Sequence, residues 1–234
     1  MSNVSVSTLA SMLVFICLFT IPLYFQFVRG DTASQSGIFV TPFMLASALG
    51  NITGSKWAQH FGTMRGILRI AAALSFVGLL SLFLLSVDAP VWAVIVGMVT
   101  TGLGVGICLI GSMTSAQNAL RPEDIGSGTG ALLVLRSVGG ASGSTLAGTV
   151  IASGTENIRQ AAAAGVQSVE PGMRGPTGHL SHGTDVASAA ASLAHSFGLV
   201  YAIAATVAAI CFLVTLKMPD ALLRSSSHPG PMLD

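Results

Sequence analysis

Between Gly126 and Ile151 the chain reads GSGTGALLVLRSVGGASGSTLAGTVI, an apolar, glycine-rich stretch with one permanent charge, Arg136, inside it. As an α-helix at about 1.5 Å per residue, a stretch of this length reaches about 39 Å, more than the roughly 30 Å hydrocarbon core of a bilayer. It reads as a membrane-spanning helix. A guanidinium at the centre of such a helix costs about 2.5 to 3.5 kcal/mol on insertion scales, so the fold must supply it with company or water. In a helix Arg136, Gly139, Gly140, Gly143 and Ala147 recur at spacings of three and four and share one face. A face with so little side chain meets another helix closely or borders a wet cavity. The alternative is that the bilayer begins near Gly130, in which case Arg136 snorkels back to the headgroups.

Composition places the rest of the chain in the same solvent. Of 234 residues 52% are hydrophobic and 8% charged, against about 25% charged in soluble domains. The partner this predicts is the lipid bilayer. A formal net charge of +1 without a basic cluster gives no reason to expect nucleic acid as a partner. Cys17, Cys108 and Cys211 each fall in an apolar run without metal-ligand spacing, so they read as small apolar residues. The leading MSNVSVS has no basic n-region and no small-residue cleavage site follows it, which predicts no cleaved signal peptide.

In order, apolar runs at 8–28, 37–53, 67–87, 90–113, 126–151 and 197–216 predict an all-α membrane protein of six transmembrane helices forming one bundle over 1–220. The second is the most polar, with Thr41, Pro42, Gly50 and Asn51, and needs neighbours to be a span. The third is nearly free of polar atoms and is expected to face lipid over much of its circumference. In the fourth, Gly102 and Gly106 form a small-xxx-small pair that lets backbones approach, as Gly139, Gly140 and Gly143 do in the fifth. Residues 152–196 read as a long flexible loop around EPGMRGPTGHLSHG, its alanine-rich flanks able to extend the adjoining helices. Residues 221–234 read as a polar tail.

No cofactor or metal site is expected. GLGVG at 102–106 lacks the preceding strand and the exposure to water that a phosphate loop needs. The H-x-x-H of His179 and His182 lacks further ligands, and His195 reads as a loop residue. No Ser/His/Asp set or carboxylate pair lies at membrane depth, which argues against an enzyme.

Six spans put both termini on one side. Lys56, Arg65, Arg69, Arg121, Lys217 and Arg224 then share that side, while the short opposite loops hold Arg29 and the long loop adds Arg159 and Arg174. Cytoplasmic termini follow from this bias, with the long loop outside.

LYFQFVRG followed by SQSGIFVTPFMLASALGN resembles the opening of the C-terminal half of fourteen-helix drug:proton antiporters of the major facilitator superfamily. GSKWAQHFGTMRG is similar to a degenerate copy of the superfamily's cytoplasmic loop signature, with Gly62 and Arg65 retained but Gln59 at its acidic position and His60 at the basic partner. GLGVGICLIGSMTSAQNAL and DIGSGTGALLVLRSVGGASGSTLAG are similar to the glycine-rich fourth and fifth helices of that half. The resemblance covers most of residues 8–220 apart from the long loop. It implies one bundle of a rocker-type secondary transporter in a plasma membrane, such as a bacterial inner membrane. Such a bundle acts only with an N-terminal helical half or a second copy, on an amphipathic small molecule and protons.

All nine acidic residues are expected in loops, at helix ends or in the tail. The proton-carrying acid is therefore expected in the other half, with Arg136 a fixed charge. Polar side chains in apolar spans need partners or water, which makes Tyr24, Gln26, Thr41, Asn51 and Arg136 the candidate substrate-pathway residues. Gln26 and Asn51 are each close enough to a helix end to be interfacial instead. The competing readings are a truncated bundle that does not transport and an uptake carrier of the same superfamily.

Overall fold

The structure is a computed structural model. It describes the backbone of residues 2–29, 32–61, 65–84, 90–167 and 184–217, and side chains within 4–26, 32–57, 60, 66–84, 90–153 and 196–217. All of the regular elements described are helical: α1 (Ser2–Arg29), α2 (Ala33–Ile38), α3 (Thr41–Phe61), α4 (Arg65–Leu84), α5 (Val91–Asn118), α6 (Ile125–Gln167) and α7 (Thr184–Leu216). A 3₁₀ turn, Pro122–Asp124, precedes α6.

Among the described residues five stretches are long and apolar enough to cross a membrane: Val4–Gln26, Ala33–Trp57, Gly66–Leu84, Val91–Asn118 and Ser196–Leu216. This is a multi-pass membrane protein. The expected fifth span is present as the helix α6, but as far as its side chains are described it falls short of that apolar standard. Glycine, serine and threonine replace larger apolar residues along it, and Arg136 lowers it further.

The second crossing is built in two pieces. Thr32 and Gln35 form a capping box that starts α2, the Thr32 Oγ1 accepting from the Gln35 N–H. A turn at Phe39–Val40 then leads into α3, where Pro42 sits in the first turn and its missing N–H removes no helical bond. The expected loop at 152–196 is shorter: α6 continues to Gln167 and α7 begins at Thr184, so both alanine-rich flanks are helical.

Helix α5 packs on α3, α4 and α1, while α1 also meets α6 and α7, and α4 meets α7. Phe25, Phe43, Phe197, Leu13, Leu68 and Met98 are among the side chains closed off entirely at these contacts. Helix α4, expected to face lipid widely, keeps an exposed edge at Ile70 and Val77 and buries Leu68 and Leu79. Hydroxyls within the spans are largely satisfied inside their own helix. Thr101 Oγ1 donates to the Gly97 carbonyl at 2.8 Å and Ser75 Oγ to the Ala71 carbonyl at 3.0 Å.

Candidate functional site

Glycines set how close the helices come. A Cβ at Gly102 would lie 2.6 Å from the Phe43 carbonyl oxygen, and one at Gly106 would run into the Ser47 carbonyl. In return a Cβ at Gly50 would strike the Leu103 carbonyl, so α3 and α5 interlock through small residues on both. Gly104 points to α4, where a Cβ would stand 2.5 Å from the Ala71 carbonyl, and Gly78 on α4 is tight against Thr101. Gly78 carries no small-xxx-small spacing in the sequence. Its signal is weaker, a glycine among large apolar residues in a span.

On the other side, a Cβ at Gly139 would be 2.5 Å from the Thr8 carbonyl and one at Gly143 2.5 Å from the Met12 carbonyl, while Gly140 faces the Phe15 ring. Residue numbers rise together on the two helices, so α1 and α6 run parallel. With the Ser11–Arg136 and Phe15–Gly140 contacts, this puts Arg136 beside the Thr8–Ser11 turn of α1, in the first half of the Val4–Gln26 span.

Arg136 is half-buried, and its carbonyl accepts a hydrogen bond from Ser11 Oγ at 2.9 Å.

The other candidate pathway residues lie elsewhere. Tyr24 is buried near the opposite end of α1, edge-to-face with Phe25 at 5.6 Å and Phe197 at 5.8 Å. Gln26 Nε2 donates to Ser36 Oγ at 3.0 Å, tying the end of α1 to α2. Thr41 is exposed at the start of α3, and Asn51 is half-buried midway along it. Tyr24 and Gln26 share one end of the bundle, and Arg136, bonded to Ser11, is separated from them by about half the length of α1.

Gly62 lies outside the described residues, as do the side chains of Gln59 and Arg65, although Arg65 heads α4. His60 is described and exposed. Arg69, counted at first only as a positive charge, donates from Nη2 to the Leu216 carbonyl at 2.9 Å and so caps the end of α7 from another helix. Cys17, Cys108 and Cys211 are buried free thiols, the last two neighbours across α5 and α7.

Among the described side chains the carboxylates are Glu123 and Asp124, both exposed in the 3₁₀ turn. Glu156, expected in the loop, has its backbone within α6, and Asp185 lies in the first turn of α7; both side chains are outside the described residues. His179 and His182, and the side chain of His195, are likewise outside them.

Known proteins resemble this arrangement in sequence and in shape. A dehydrocurvularin exporter of Aspergillus terreus is 27% identical over 213 residues, 86% of this chain and 36% of the exporter. Multidrug resistance protein 3 of Bacillus subtilis (strain 168) is 32% identical over 131 residues, 56% of this chain and 25% of that protein. A bacterial homologue of the human lysosomal transporter Spinster, inward-facing and occupied, superposes with a TM-score of 0.72 at 13% identity, over 92% of this chain and 47% of that one. The xylose transporter XylE of E. coli, inward open, gives 0.60 at 14% identity, over 94% and 47%. The chain thus spans about a third or less of these curated relatives and about half of the solved transporters. Residues 3–144 match the Major Facilitator Superfamily, more than half of the sequence. With an all-helical bundle that superposes on solved transporters of this shape, the chain belongs to the major facilitator superfamily of membrane transporters and is not an enzyme.

Proposed function

We propose that this chain is the C-terminal six-helix half of a proton-coupled efflux permease of the fourteen-helix branch, exporting amphipathic drugs or metabolites. The observation that carries the reading is one of proportion. The bundle matches nearly all of itself to solved transporters yet only 47% of each of them. The relatives named above as an exporter and a multidrug resistance protein support outward transport.

In this reading α6 crosses the bilayer as the fifth of six spans, parallel to α1, and both termini face the cytoplasm of a cell in whose outer boundary membrane the protein sits. The excess of lysine and arginine on that side supports the orientation. A further helical bundle, an N-terminal half or a second copy, covers α3 and α6. On α3, Met44, Leu45, Leu49 and Ile52 are exposed, as are Leu133, Val134 and Val138 on α6. Arg136 is a fixed charge in the cytoplasmic half of the pathway, and Tyr24, Gln26, Thr41 and Asn51 line its outer part. The glycines of α5 and α6 pack helices and do not touch substrate. The proton-carrying acid is in the other bundle.

Purified chain in proteoliposomes with an imposed pH gradient tests this, alone and together with the N-terminal helices of a full-length relative. The expected result is no gradient-driven movement of a fluorescent amphipathic cation by the chain alone, and movement with the added half. Proton-driven efflux by the single chain would overturn the need for a partner bundle. Accumulation along the gradient instead of extrusion would select the uptake reading.

A further inference from the structure

Cys17, Thr20 and Tyr24 recur at spacings of three and four and form a polar stripe on one face of α1. That stripe faces α7. Tyr24 packs edge-to-face on Phe197, while Cys17 and Tyr24 are the ionisable side chains acting electrostatically on Tyr201. Moving down α1 from Tyr24 to Cys17 therefore moves up α7 from Phe197 to Tyr201, and the two helices are antiparallel. Thr20 is one turn below Tyr24 and Tyr201 one turn beyond Phe197, so Thr20 and Tyr201 stand at the same level of the interface.

Both are closed off from solvent, Thr20 at 0% and Tyr201 at 4% exposure, and neither hydroxyl has a hydrogen-bond partner among the described residues. For Thr20 this is unusual within its own fold. The hydroxyls of Thr100, Thr101, Thr206 and Thr215 each turn back to a carbonyl of their own helix, at 2.6 to 2.8 Å. Thr20 does not use the carbonyl of Ile16, one turn back, and its hydroxyl is left for the interface with α7. A buried hydroxyl left without a partner bears its whole desolvation cost, and two at one level of one interface bear it twice. One water with two to four polar neighbours satisfies such a set.

We propose that a water molecule is bound between α1 and α7, bridging Thr20 Oγ1 and Tyr201 Oη, with the Cys17 thiol and Tyr24 phenol as its remaining polar neighbours. It makes this interface a hydrated joint between two spans. The inference is independent of what the transporter carries and in which direction.

Radiolytic hydroxyl labelling of the full chain in phospholipid nanodiscs, read residue by residue by mass spectrometry, tests it, because labelling of a buried ring requires water beside it. Phe43, an aromatic ring 1% exposed, is the dry reference. Tyr201 is expected to be modified at least five-fold faster than Phe43 in the unaltered protein. In Thr20→Val, which removes one anchor of the water, the Tyr201 rate is expected to fall at least two-fold with Phe43 unchanged. A Tyr201 rate equal to that of Phe43 in the unaltered protein overturns the proposal without recourse to a variant. So does an unchanged Tyr201 rate in Thr20→Val that elutes as a folded, monodisperse species.

Discussion

Helices α5 and α6 carry glycines at nearly the same spacings, and the bundle uses them differently. On α5, Gly102 and Gly106 bring in α3 while Gly97, Gly104 and Gly111 bring in α4, so that 61% of its apolar window is buried. On α6, Gly139, Gly140 and Gly143 all serve one neighbour, α1. It also touches α7 and α5, but one side stays open, with Leu133, Val134 and Val138 exposed and Ser137, Thr145 and Thr149 bonded to their own backbone. Glycine spacing reports that a backbone comes close. The number of backbones that do so decides whether the helix becomes core or border.

Substitutions that swell each glycine sharpen that contrast. Gly106→Leu drives a branched side chain into the Ser47 backbone with α4 closing the other side of α5, and should destabilise the bundle by about 3 kcal/mol. Loss of the monodisperse peak and a fall in Tm in detergent would register it. Gly143→Leu meets the Met12 backbone in the same way, but α6 has an open side toward which to shift, so about 1 to 2 kcal/mol is expected. An equal loss in the two variants would break the distinction between core and border helix. Gly148→Ala adds a methyl at ordinary distance, 3.6 Å, from the Phe19 ring and should raise stability by about 0.5 to 1 kcal/mol through helix propensity, seen as a higher Tm. Arg136→Lys, which keeps the fixed charge, should change Tm by an amount equivalent to less than about 0.5 kcal/mol.

The apolar runs made most of the architecture legible, because a bilayer requires long helices and leaves few alternatives. The pair Gly102 and Gly106 was readable from its four-residue spacing. That Gly104 between them packs was readable too, but not which helix it meets, since nothing local says that a third glycine two residues along faces α4. The span limits of α6 were harder. Its small and polar residues make a shallow hydropathy profile with no sharp edge. The bond from Ser11 to the Arg136 carbonyl, which sets α6 against α1, turns on a neighbour 125 residues away in sequence. Among the candidate site residues, Tyr24 was visible as a polar atom in an apolar run, but its aromatic partner Phe197 was not. The cap that Arg69 places on α7 depended likewise on which helices become neighbours.

The six-helix account depends on α6 crossing the membrane with its deepest point between residues 140 and 146, beside Phe15 of α1. Spin labels placed one at a time at residues 136, 141, 146 and 149 of the chain in nanodiscs measure this directly, through the ratio of their collision rates with oxygen and with a water-soluble nickel chelate. The account predicts the greatest depth at residues 141 and 146 and a shallower position for residue 136. Depths that are uniformly shallow, or greatest at residue 136, would contradict it.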